Sequence, residues 1–512
     1  MLSMRLAQLS AAGLEGVDGY LVQVEVSRIE PSTGIGRTTV VGLPDNAVRE
    51  SIDRITPALR GAGLENPPAD QVVVNLAPAD RRKEGPVFDL AIALGLAATV
   101  DANRLQLPND TIFLAELALD GHLRPVRGVL PAVLAARAAG LAHAVVAPGN
   151  LAEASVVHGI SVHAPATLSI CVAHIRSGFP VEPIPATTIE EAPLIGGPCL
   201  SDVRGQEHAK RALTIAAAGS HNLLLIGPPG SGKTMLARRL PGLLPPMTAD
   251  EALDASRVHS VSGLLPVGCG LLRERPFRAP HHNVSGVGLI GGGSVPRPGE
   301  VSLAHQGVLF LDELPEFPRT VLETLRQPLE DGFLTISRSG GRVKFPAQVT
   351  LVAAMNPCPC GYLGHPTRRC VDSADATHRY RSRISGPLLD RIDLHLDVPA
   401  QRPDVLLHGG DGGETSAQAR VRVCAARDRM LVRQGVANAR LDPRGLRKHL
   451  HATSDALTLL QQAAEELGLS ARAHDRCLKV ARTVADLDGR DEVQVDDVAE
   501  AVGYRVLDRP AG

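Results

Sequence analysis

Tryptophan is missing from this sequence of 512 residues, and aromatic residues make up only 2% of it. So few rings argue against a surface that binds single-stranded nucleic acid by stacking its bases, and they leave phosphate contacts as the expected mode of any such binding. A strong charge of one sign is also missing, because the formal net charge is -2 at pH 7. Any contact with nucleic acid would therefore need a local basic surface.

No apolar run is long enough to cross a membrane. The longest, around FDLAIALGLAATV, carries an Asp and falls short of the ~20 residues that a spanning helix needs, so we expect a buried helix and no membrane partner. The first residues, MLSMRLAQLSAAGLEG, lack the apolar core of a signal peptide. Together with mostly scattered cysteines, this predicts a cytoplasmic protein in a reducing environment.

Alternating strand-like and helix-like patterns predict an α/β fold with several regions. Over residues 1–176, the strand-like YLVQVEVSRI, TTVVGL, DQVVVNLAP and HAVVAP alternate with the helical NAVRESIDRITPALRGAG and PAVLAARAAG, which predicts an independent domain. Residues 177–201 are rich in proline and predict a linker. Strands and helices alternate again over 202–400, whereas residues 401–512 contain the Gly-rich connection HGGDGGETS and then helical patterns.

The most specific motif is GPPGSGKT, which follows the strand-like NLLLI and precedes the helical MLARRL. This is the context of a phosphate-binding loop, in which backbone amides and a helix N-terminus hold phosphates. We expect Lys233 to contact the β- and γ-phosphates of ATP and Thr234 to bind Mg²⁺. The predicted nucleotide-binding residues are Gly227, Pro228, Pro229, Gly230, Ser231, Gly232, Lys233 and Thr234.

Two further strand ends supply side chains for hydrolysis. GVLFLDEL places Asp312 and Glu313 after an apolar strand, where Asp312 is expected to hold Mg²⁺ and Glu313 to orient or polarise the attacking water. QVTLVAAMN ends at Asn356, which could position the same water. A turn-forming Asn before Pro357 is the alternative. The combination predicts an ATPase.

Five longer segments resemble the magnesium-chelatase-like AAA+ ATPases of the ComM/YifB type, and with the N-terminal region the resemblance covers essentially the whole chain. It implies a hexameric ATPase with an AAA+ core and a small helical lid, which acts on DNA by branch migration or helicase activity in recombination during natural transformation. A protein-remodelling ATPase like the motor subunit of magnesium chelatase is the alternative. The segments are GQEHAKRALTIAAAGSHNLLLIGPPGSGKT, FRAPHHNVSGVGLIGGGSVPRPGEVSLAHQGVLFLDEL, AAMNPCPCGYLG, RYRSRISGPLLDRIDL and SARAHDRCLKVARTVADL.

The resemblance assigns roles to two arginines. Arg391, in LLDRID, matches an arginine finger that reaches the nucleotide of a neighbouring subunit, and a finger of this kind implies a ring. Arg472, in SARAHDR, matches the sensor-2 arginine of the lid. Without the family, Arg391 would be interpreted as part of an ion-pair cluster with Asp390 and Asp393, and Arg472 as an exposed helix residue.

Two segments are candidates for the pore of such a ring. GLIGGGSVPRPGE falls where the family carries an insertion in the second helix of the core that projects toward the pore. FLTISRSGGRVKFPAQ predicts a hairpin before the next core strand, and its turn is flanked by Arg338, Arg342 and Lys344, which are candidate DNA contacts. A solvated hairpin tip is the alternative for this second segment.

Three cysteines follow closely in NPCPCGYLGHPTRRC. Cys358, Cys360 and Cys370 could bind Zn²⁺ if a fourth ligand joined them. Asp372 stands where family members commonly have another cysteine, and His365, His378 or Asp372 could complete the site. Reduced cysteines without a metal are the alternative.

The N-terminal region contains RRKEGPVFDLAIALG and HLRPVRGVLPAVLAARAAG, which resemble the proteolytic domain of Lon proteases. The fold of that domain supports a Ser-Lys dyad, but Val87 stands at the position of the nucleophile and Leu130 at that of the lysine. Neither side chain can do this chemistry, so we expect no peptidase activity and a structural role. Ser51 and Lys83 lie nearby in sequence, but unpaired Ser and Lys residues are common on surfaces and receive no role.

Overall fold

The computed structural model divides into two compact units. The first comprises residues 1–190 and 252–272, and the second comprises residues 191–251 and 273–512. Residues 252–272 therefore belong to the first unit, although the sequence pattern placed them in the nucleotide-binding core. The structure describes residues 4–29, 38–65, 71–100, 105–179, 197–293, 295–338, 341–401, 413–505 and 507.

The first unit contains a β-sheet with both parallel and antiparallel strand pairs, together with α-helices. The strands are β1 (Met4–Glu15), β2 (Asp18–Ile29), β3 (Thr38–Val41), β4 (Gln71–Ala77), β5 (Thr111–Leu114), β6 (Glu116–Leu117), β7 (Leu123–Arg124), β8 (His143–Val146) and β9 (Ser161–His163). The helices are α1 (Asn46–Gly61), α2 (Asp89–Val100), α3 (Val129–Ala138), α4 (Leu151–Ala154) and α5 (Leu168–Arg176). Within the described residues the main sheet has the order β3-β4-β2-β1-β5-β8-β9, with β1 antiparallel to β2 and parallel to β5.

The apolar run FDLAIALGLAATV forms α2, whose residues 89–99 are buried. This confirms the prediction of a buried helix. In the described part of the chain, no helix combines the length and the apolar composition that crossing a membrane requires.

The two positions that match the Lon dyad contribute to the core of the first unit. Leu130 is fully buried in an apolar cluster, and Val87 packs against the same cluster. Ser51 and Lys83 are buried as well, so neither is a surface residue. The Ser51 hydroxyl donates to the carboxylate of Asp89, and Lys83 Nζ donates to backbone carbonyl oxygens, 2.8 Å from that of Arg81.

Residues 252–272 contain most of α9 (Ala249–Ser262) and pack into the first unit. The Ser260 hydroxyl donates to Glu153 Oε2 at 2.7 Å, and the Ser260 carbonyl accepts from the amide of Gly128 at 3.0 Å. Leu253 and Leu271 add to the apolar cluster around Leu130. Polar and apolar contacts together therefore anchor this segment.

The second unit is built on a parallel sheet with the order β11-β14-β17-β10-β18. Its strands are β10 (Leu223–Ile226), β11 (Phe277–Arg278), β12 (Gly291–Gly292), β13 (Arg297–Pro298), β14 (Val308–Leu311), β15 (Phe333–Arg338), β16 (Gly341–Pro346), β17 (Thr350–Met355) and β18 (Leu394–Asp397). The helices up to β18 are α6 (Glu207–Gly219), α7 (Lys233–Ala237), α8 (Leu240–Leu243), α10 (Gly286–Ile290), α11 (Glu300–Leu303), α12 (Arg319–Glu323), α13 (Arg326–Asp331), α14 (Ala374–Arg381) and α15 (Gly386–Leu389).

Every residue of β10, β14 and β17 is buried, as expected for central strands of a parallel sheet with both faces covered. Because these strands are parallel, the residues that follow them meet at one edge. These residues are Gly227 after β10, Asp312 after β14 and Asn356 after β17. The fold thereby confirms the predicted α/β architecture of this region.

The remaining helices are α16 (Ser416–Gln434), α17 (Pro443–His449), α18 (Ser454–Leu467), α19 (Ala471–Leu487) and α20 (Val495–Gly503). The hydroxyls of Thr453 and Ser470 accept from backbone amides in the first turns of α18 and α19, as N-cap side chains do. These helices confirm the helical patterns of the C-terminal region. Residues 408–412 of the predicted connection HGGDGGETS and most of the predicted linker over 177–201 lie outside the described residues, whereas residues 413–415 lead directly into α16.

A buried carboxylate joins the helical region to the sheet. Asp393, just before β18, accepts from the amide of Asn222 at 2.9 Å and pairs with Arg476 of α19. His221 Nδ1 lies 3.4 Å from the same carboxylate. Although burial opposes ionisation, Arg476 and His221 hold the pKa of Asp393 well below its usual value.

We expect Asp393→Asn to lower the free energy of unfolding by about 3 kcal/mol at pH 7, because it leaves Arg476 without its buried partner. The folded pKa lies below the unfolded one, so the stabilisation is complete above the unfolded value and is lost as the pH falls below about 4. Thermal unfolding at pH 7 and at lower pH measures this difference. Asp428→Asn, at an exposed position of α16, is the control, and equal effects of both variants would contradict the prediction.

Candidate nucleotide-binding site

The phosphate-binding loop leaves β10 at Gly227, where the backbone is tightly packed. The Gly227 amide donates to the carbonyl oxygen of Met355 at 3.2 Å. A Cβ atom at Gly227 would lie 2.1 Å from the carbonyl oxygen of Val398. Only glycine therefore fits the first position of the motif.

Farther along the loop, Gly230 and Gly232 have φ angles of 77° and 91°, in the left-handed region that favours glycine. Gln206, which the sequence analysis missed, holds the loop from the start of α6. Its Nε2 donates to the carbonyl oxygen of Ser231 at 2.8 Å. In the sequence, Gly205 and Gln206 stand just before α6. Such a pair predicts the start of a helix as readily as a contact with the phosphate-binding loop.

Lys233 lies at the start of α7 and points into the loop. Its Nζ donates to the carbonyl oxygens of Gly227 at 2.7 Å and Pro228 at 2.9 Å, and to Asn356 Oδ1 at 3.2 Å. Burial lowers the pKa of Lys233, while the carboxylates of Asp312 and Glu313 oppose the shift. The structure therefore brings the predicted lysine and asparagine together beside the phosphate-binding loop.

The predicted magnesium ligands are also in contact. Thr234 Oγ1 donates to Asp312 Oδ2 at 2.7 Å, and Asp312 Oδ1 accepts from the amide of Glu313 at 3.0 Å. A hydroxyl and a carboxylate are the hard oxygen donors that Mg²⁺ prefers, so this pair fits the ion. Bound there, Mg²⁺ would supply Lewis-acid stabilisation of phosphate charge, with Thr234 and Asp312 holding it.

Glu313 has a backbone φ of 53°, which is uncommon for a residue with a side chain. Its Oε2 lies 3.2 Å from His282 Nδ1, and the carboxylate is about half exposed. His282 was missed as a site residue, although the pair of histidines in FRAPHHN was a signal. The His282 ring therefore lies beside the Glu313 carboxylate, which remains accessible to water.

The two arginines predicted from the family are engaged within the chain. Arg391 pairs with Glu330 and also donates to the carbonyl oxygens of Arg326 at 3.0 Å and Pro387 at 2.8 Å. Only 11% of its side chain is exposed. Its ion-pair partner is thus Glu330, in place of the Asp390 and Asp393 cluster that we considered.

Arg472 is largely exposed, and its Nη1 lies 3.9 Å from Asp390 Oδ2. Among the described residues, the contacts of Arg391 and Arg472 do not include the phosphate-binding loop. Their assigned roles in hydrolysis therefore stay predictions.

The three clustered cysteines converge with Asp372. The Sγ–Sγ distances are 3.4 Å for Cys358–Cys360 and 3.6 Å for the pairs with Cys370, and the donor atoms of all four residues lie within 4.8 Å of one another. Tetrahedral zinc with Zn–S bonds of about 2.3 Å needs Sγ–Sγ distances of about 3.8 Å. The four donors therefore fit zinc.

Asp372 is the fourth donor that the structure favours among the three that the sequence left open. Its Oδ2 accepts from the Cys360 amide at 2.7 Å, which orients the carboxylate toward the sulfurs. His365 instead accepts from the amides of Thr367 and Arg368. Burial, and then the hydrogen bond with Asp372, raise the pKa of Cys358.

This cysteine loop packs against the phosphate-binding loop. Gly361 has a φ of 81°, and a Cβ atom there would lie 2.6 Å from Pro229 Cδ and 3.8 Å from Asn356 Cγ. The cysteine loop and the phosphate-binding loop are therefore in direct contact.

The two predicted pore segments also lie against each other. In GLIGGGSVPRPGE, Gly291 and Gly292 pair with Pro298 and Arg297 as a short antiparallel ladder. A Cβ atom at Gly291 would lie 2.3 Å from the Arg297 carbonyl oxygen and 3.3 Å from Ile336 Cδ1 on the β15–β16 hairpin. The glycines thus allow a close backbone approach.

The β15–β16 hairpin presents basic side chains as predicted. Arg342 and Lys344 are exposed on β16, and Lys344 Nζ lies 3.6 Å from the ring centroid of Phe333. Arg338 ends β15, but its side chain and the tip at residues 339–340 lie outside the described part of the chain.

We expect Glu313→Gln to bind ATP normally and to lower kcat for hydrolysis at least about a hundredfold, because the amide cannot polarise the attacking water. Nucleotide binding and steady-state phosphate release measure the two effects. Glu316→Gln, at the next acidic residue of this segment, is the matched control and should retain activity. Loss of ATP binding in Glu313→Gln would contradict the assigned role.

Comparisons with known proteins agree with this geometry. A family model described as magnesium chelatase, subunit ChlI, matches residues 199–406, which include the phosphate-binding loop and the arginine of LLDRID. A model for the C-terminal part of the same subunit matches residues 413–505, and one described as subunit ChlI of Mg-chelatase matches residues 24–150.

Full-length relatives are more similar. The chain is 45% identical to competence protein ComM of Haemophilus influenzae and 42% identical to protein YifB of Escherichia coli, in each case over 99% of this chain and 98% of the relative. It is 21% identical to magnesium-chelatase subunit ChlI of Porphyra purpurea over 58% of this chain and 84% of that protein. This chain therefore belongs to the ComM/YifB group of the magnesium-chelatase-like AAA+ ATPases, a family that uses ATP and Mg²⁺.

Proposed function

We propose that this protein is a cytoplasmic homo-hexameric ATPase that moves on DNA, with branch-migration or helicase activity in recombination during natural transformation. The observation that carries the proposal is the match to a competence protein over 99% of this chain, including the regions on both sides of the ATPase core. The DNA-directed part of the proposal depends on this full-length relationship.

The ATPase part is supported by the residues at the carboxyl edge of the sheet. Lys233 and the loop amides would bind the phosphates, while Thr234 and Asp312 would hold Mg²⁺. Glu313 would accept the proton of the attacking water, and Asn356 would orient that water. Hydrolysis by these residues would supply the free energy for movement.

The proposed ring is supported by the surroundings of Asp312 and Glu313, where the described part of a single chain places no arginine against either carboxylate. Among the residues that the structure describes, the side chains of Asp312 and Glu313 bond or pair with Thr234, with His282 and with the Glu313 amide, and with no arginine. A cation at the developing γ-phosphate charge is worth several kcal/mol in catalysis. Arg391 of a neighbouring subunit would supply it after leaving Glu330.

The DNA contact is supported by the basic β15–β16 hairpin. Arg342 and Lys344 are exposed, and six copies would concentrate their charge in one channel although the whole chain is nearly neutral. The contact between Gly291 and Ile336 would let both pore segments move together.

The second candidate is a protein-remodelling ATPase of the chelatase kind, which the family descriptions favour. The chelatase relative covers only 58% of this chain, whereas the competence protein covers nearly all of it. We therefore place the DNA motor first.

The test is ATP-dependent branch migration on a labelled three-strand joint molecule and a forked duplex. We expect product with the intact protein and none with Lys233→Ala. Replacing Arg342 and Lys344 together by Ala should lower the rate at least about tenfold, because two phosphate contacts per subunit are removed. ATP hydrolysis without DNA should change little.

The matched control replaces Arg429 and Arg444 by Ala, two exposed arginines on the C-terminal helices. Equal losses in both double variants would contradict the assigned DNA contact. ATP hydrolysis that DNA does not change, without any strand product, would favour the protein-remodelling alternative.

We also propose that Cys358, Cys360, Cys370 and Asp372 bind one structural Zn²⁺ beside the phosphate-binding loop. The thiolate and carboxylate donors would occupy all four tetrahedral positions, which suits a structural site with no open position for chemistry. Bound zinc would order the cysteine loop, and the contact between Gly361 and Pro229 would extend this order to the phosphate-binding loop.

Protein purified without chelator should contain about one zinc per chain by elemental analysis, and Asp372→Ala should lose most of it at equal chelator concentration. Asp375→Ala, an exposed residue of the adjacent α14, is the matched control and should keep its zinc. Equal zinc contents in the two variants would exclude Asp372 as a ligand, and no zinc in the unaltered protein would exclude the site.

A further inference from the structure

A cavity of about 200 Å³ lies at the opposite edge of the parallel sheet from the phosphate-binding loop. Gly307, just before β14, and Thr350, the first residue of β17, line it, as does Ser220 before β10. The nucleotide site follows the carboxyl ends of these same strands. The cavity is therefore separate from the residues that bind ATP.

Positive charge dominates this cavity. Arg275, Arg427 and Arg440 line it together with a single acidic residue, Glu251. Glu251 Oε2 pairs with Arg275 at 2.7 Å. Within the described part of the chain, Arg427 and Arg440 form no ion pair, so two guanidinium charges are not neutralised by a carboxylate.

The hydrogen bonds of these arginines show which donors are committed. Arg427 Nε and Nη2 donate to the carbonyl oxygens of Ala218 and Ala217 at the end of α6, and Nη2 also reaches the Ser220 hydroxyl. These bonds leave Arg427 Nη1 unused. The Arg440 side chain is exposed and makes no hydrogen bond among the described residues.

Burial and this excess positive charge lower the pKa values of neighbouring groups. Burial, and then the charge of Arg275, lower the pKa of Arg427 to about 10. Burial, followed by Arg440 and Arg275, lowers the pKa of the nearby His305 to about 4. An anion in the cavity would relieve this repulsion, since uncompensated charges near apolar walls are costly.

We propose that this cavity binds a phosphate group, with the Arg440 guanidinium and Arg427 Nη1 as the principal donors. Planar guanidinium groups match phosphate oxygens in pairs, and a cavity of about 200 Å³ has room for a phosphate with an attached group. A chloride or a water would leave most of these donors unsatisfied.

The cavity also adjoins the foot of the β15–β16 hairpin. Gly332, just before β15, lies so that a Cβ atom there would be 3.0 Å from Gln348 Cγ and 3.8 Å from Arg440 Nη1. The phosphate could belong to a nucleic-acid backbone that the hairpin guides, or to a free molecule such as pyrophosphate. The first source rests on the proposed DNA function, whereas the second is independent of it.

The test compares Arg440→Gln with Arg444→Gln in the full-length protein. Both variants remove one exposed arginine, and only Arg440 lines the cavity. In the first arm, DNA affinity is measured by fluorescence anisotropy over a series of salt concentrations. If the phosphate is that of DNA, Arg440→Gln should weaken binding about fivefold and reduce the slope of log K against log salt by about one, and Arg444→Gln should change neither as much.

In the second arm, pyrophosphate binding is measured by calorimetry in protein that also carries Lys233→Ala, so that the phosphate-binding loop contributes little. Selective loss of pyrophosphate binding in Arg440→Gln would support a site for a free phosphate compound. If neither arm distinguishes Arg440→Gln from Arg444→Gln, the proposal is overturned. A protein that binds no DNA would contradict the proposed function, while the pyrophosphate arm would still decide on the cavity.

Discussion

The hydrogen bond between Thr234 and Asp312 depends on one constraint, which is the parallel order of β14, β17 and β10. Parallel strands deliver their carboxyl ends to one edge, so residues that are 78 positions apart in the chain meet within 2.7 Å. The same edge receives Lys233 and Asn356. Every residue of these strands is buried and all but Thr350 are apolar, so the register of the sheet sets the geometry of this edge.

Around this edge, several loops are held by contacts that the nucleotide motif alone does not reveal. Gln206 bonds to the phosphate-binding loop from the start of α6, the cysteine loop packs on Pro229, and His282 lies 3.2 Å from Glu313. Asp393 and Arg476 connect the sheet to the helical region. The phosphate-binding loop thus lies directly against Gln206 and the cysteine loop, and His282 lies against Glu313 at the same edge of the sheet.

The sequence predicted the elements whose patterns are strong. The Gly-rich loop before α7, the buried strands before Asp312 and Asn356, the buried α2 and the helices α18 and α19 are all present. The sequence did not predict β1, because MRLAQLSAAGLE is rich in small residues and becomes a strand through its full-length pairing with β2. Such long-range pairing leaves little local signal.

Side-chain partners were harder to predict than elements. Arg391 pairs with Glu330, which is 61 positions away and carries no pattern that marks it as a partner. The sequence also did not predict that residues 252–272 belong to the first unit. A helical pattern shows that a segment forms a helix, but it does not show which hydrophobic core the helix packs against. Asp372 could be selected as the fourth donor only once the chain path around the cysteines was known.

We propose that Arg391 completes the ATP site of a neighbouring copy, so that ATP hydrolysis requires a ring. The most direct measurement mixes Lys233→Ala with Arg391→Ala subunits and follows ATP hydrolysis. Each variant alone should be nearly inactive, and random mixing should restore activity at about a quarter of the interfaces, since one subunit then brings an intact loop and its neighbour an intact arginine. Glu330→Gln should stay active. No recovery on mixing, or equal losses in Arg391→Ala and Glu330→Gln, would show that Arg391 serves only its own chain.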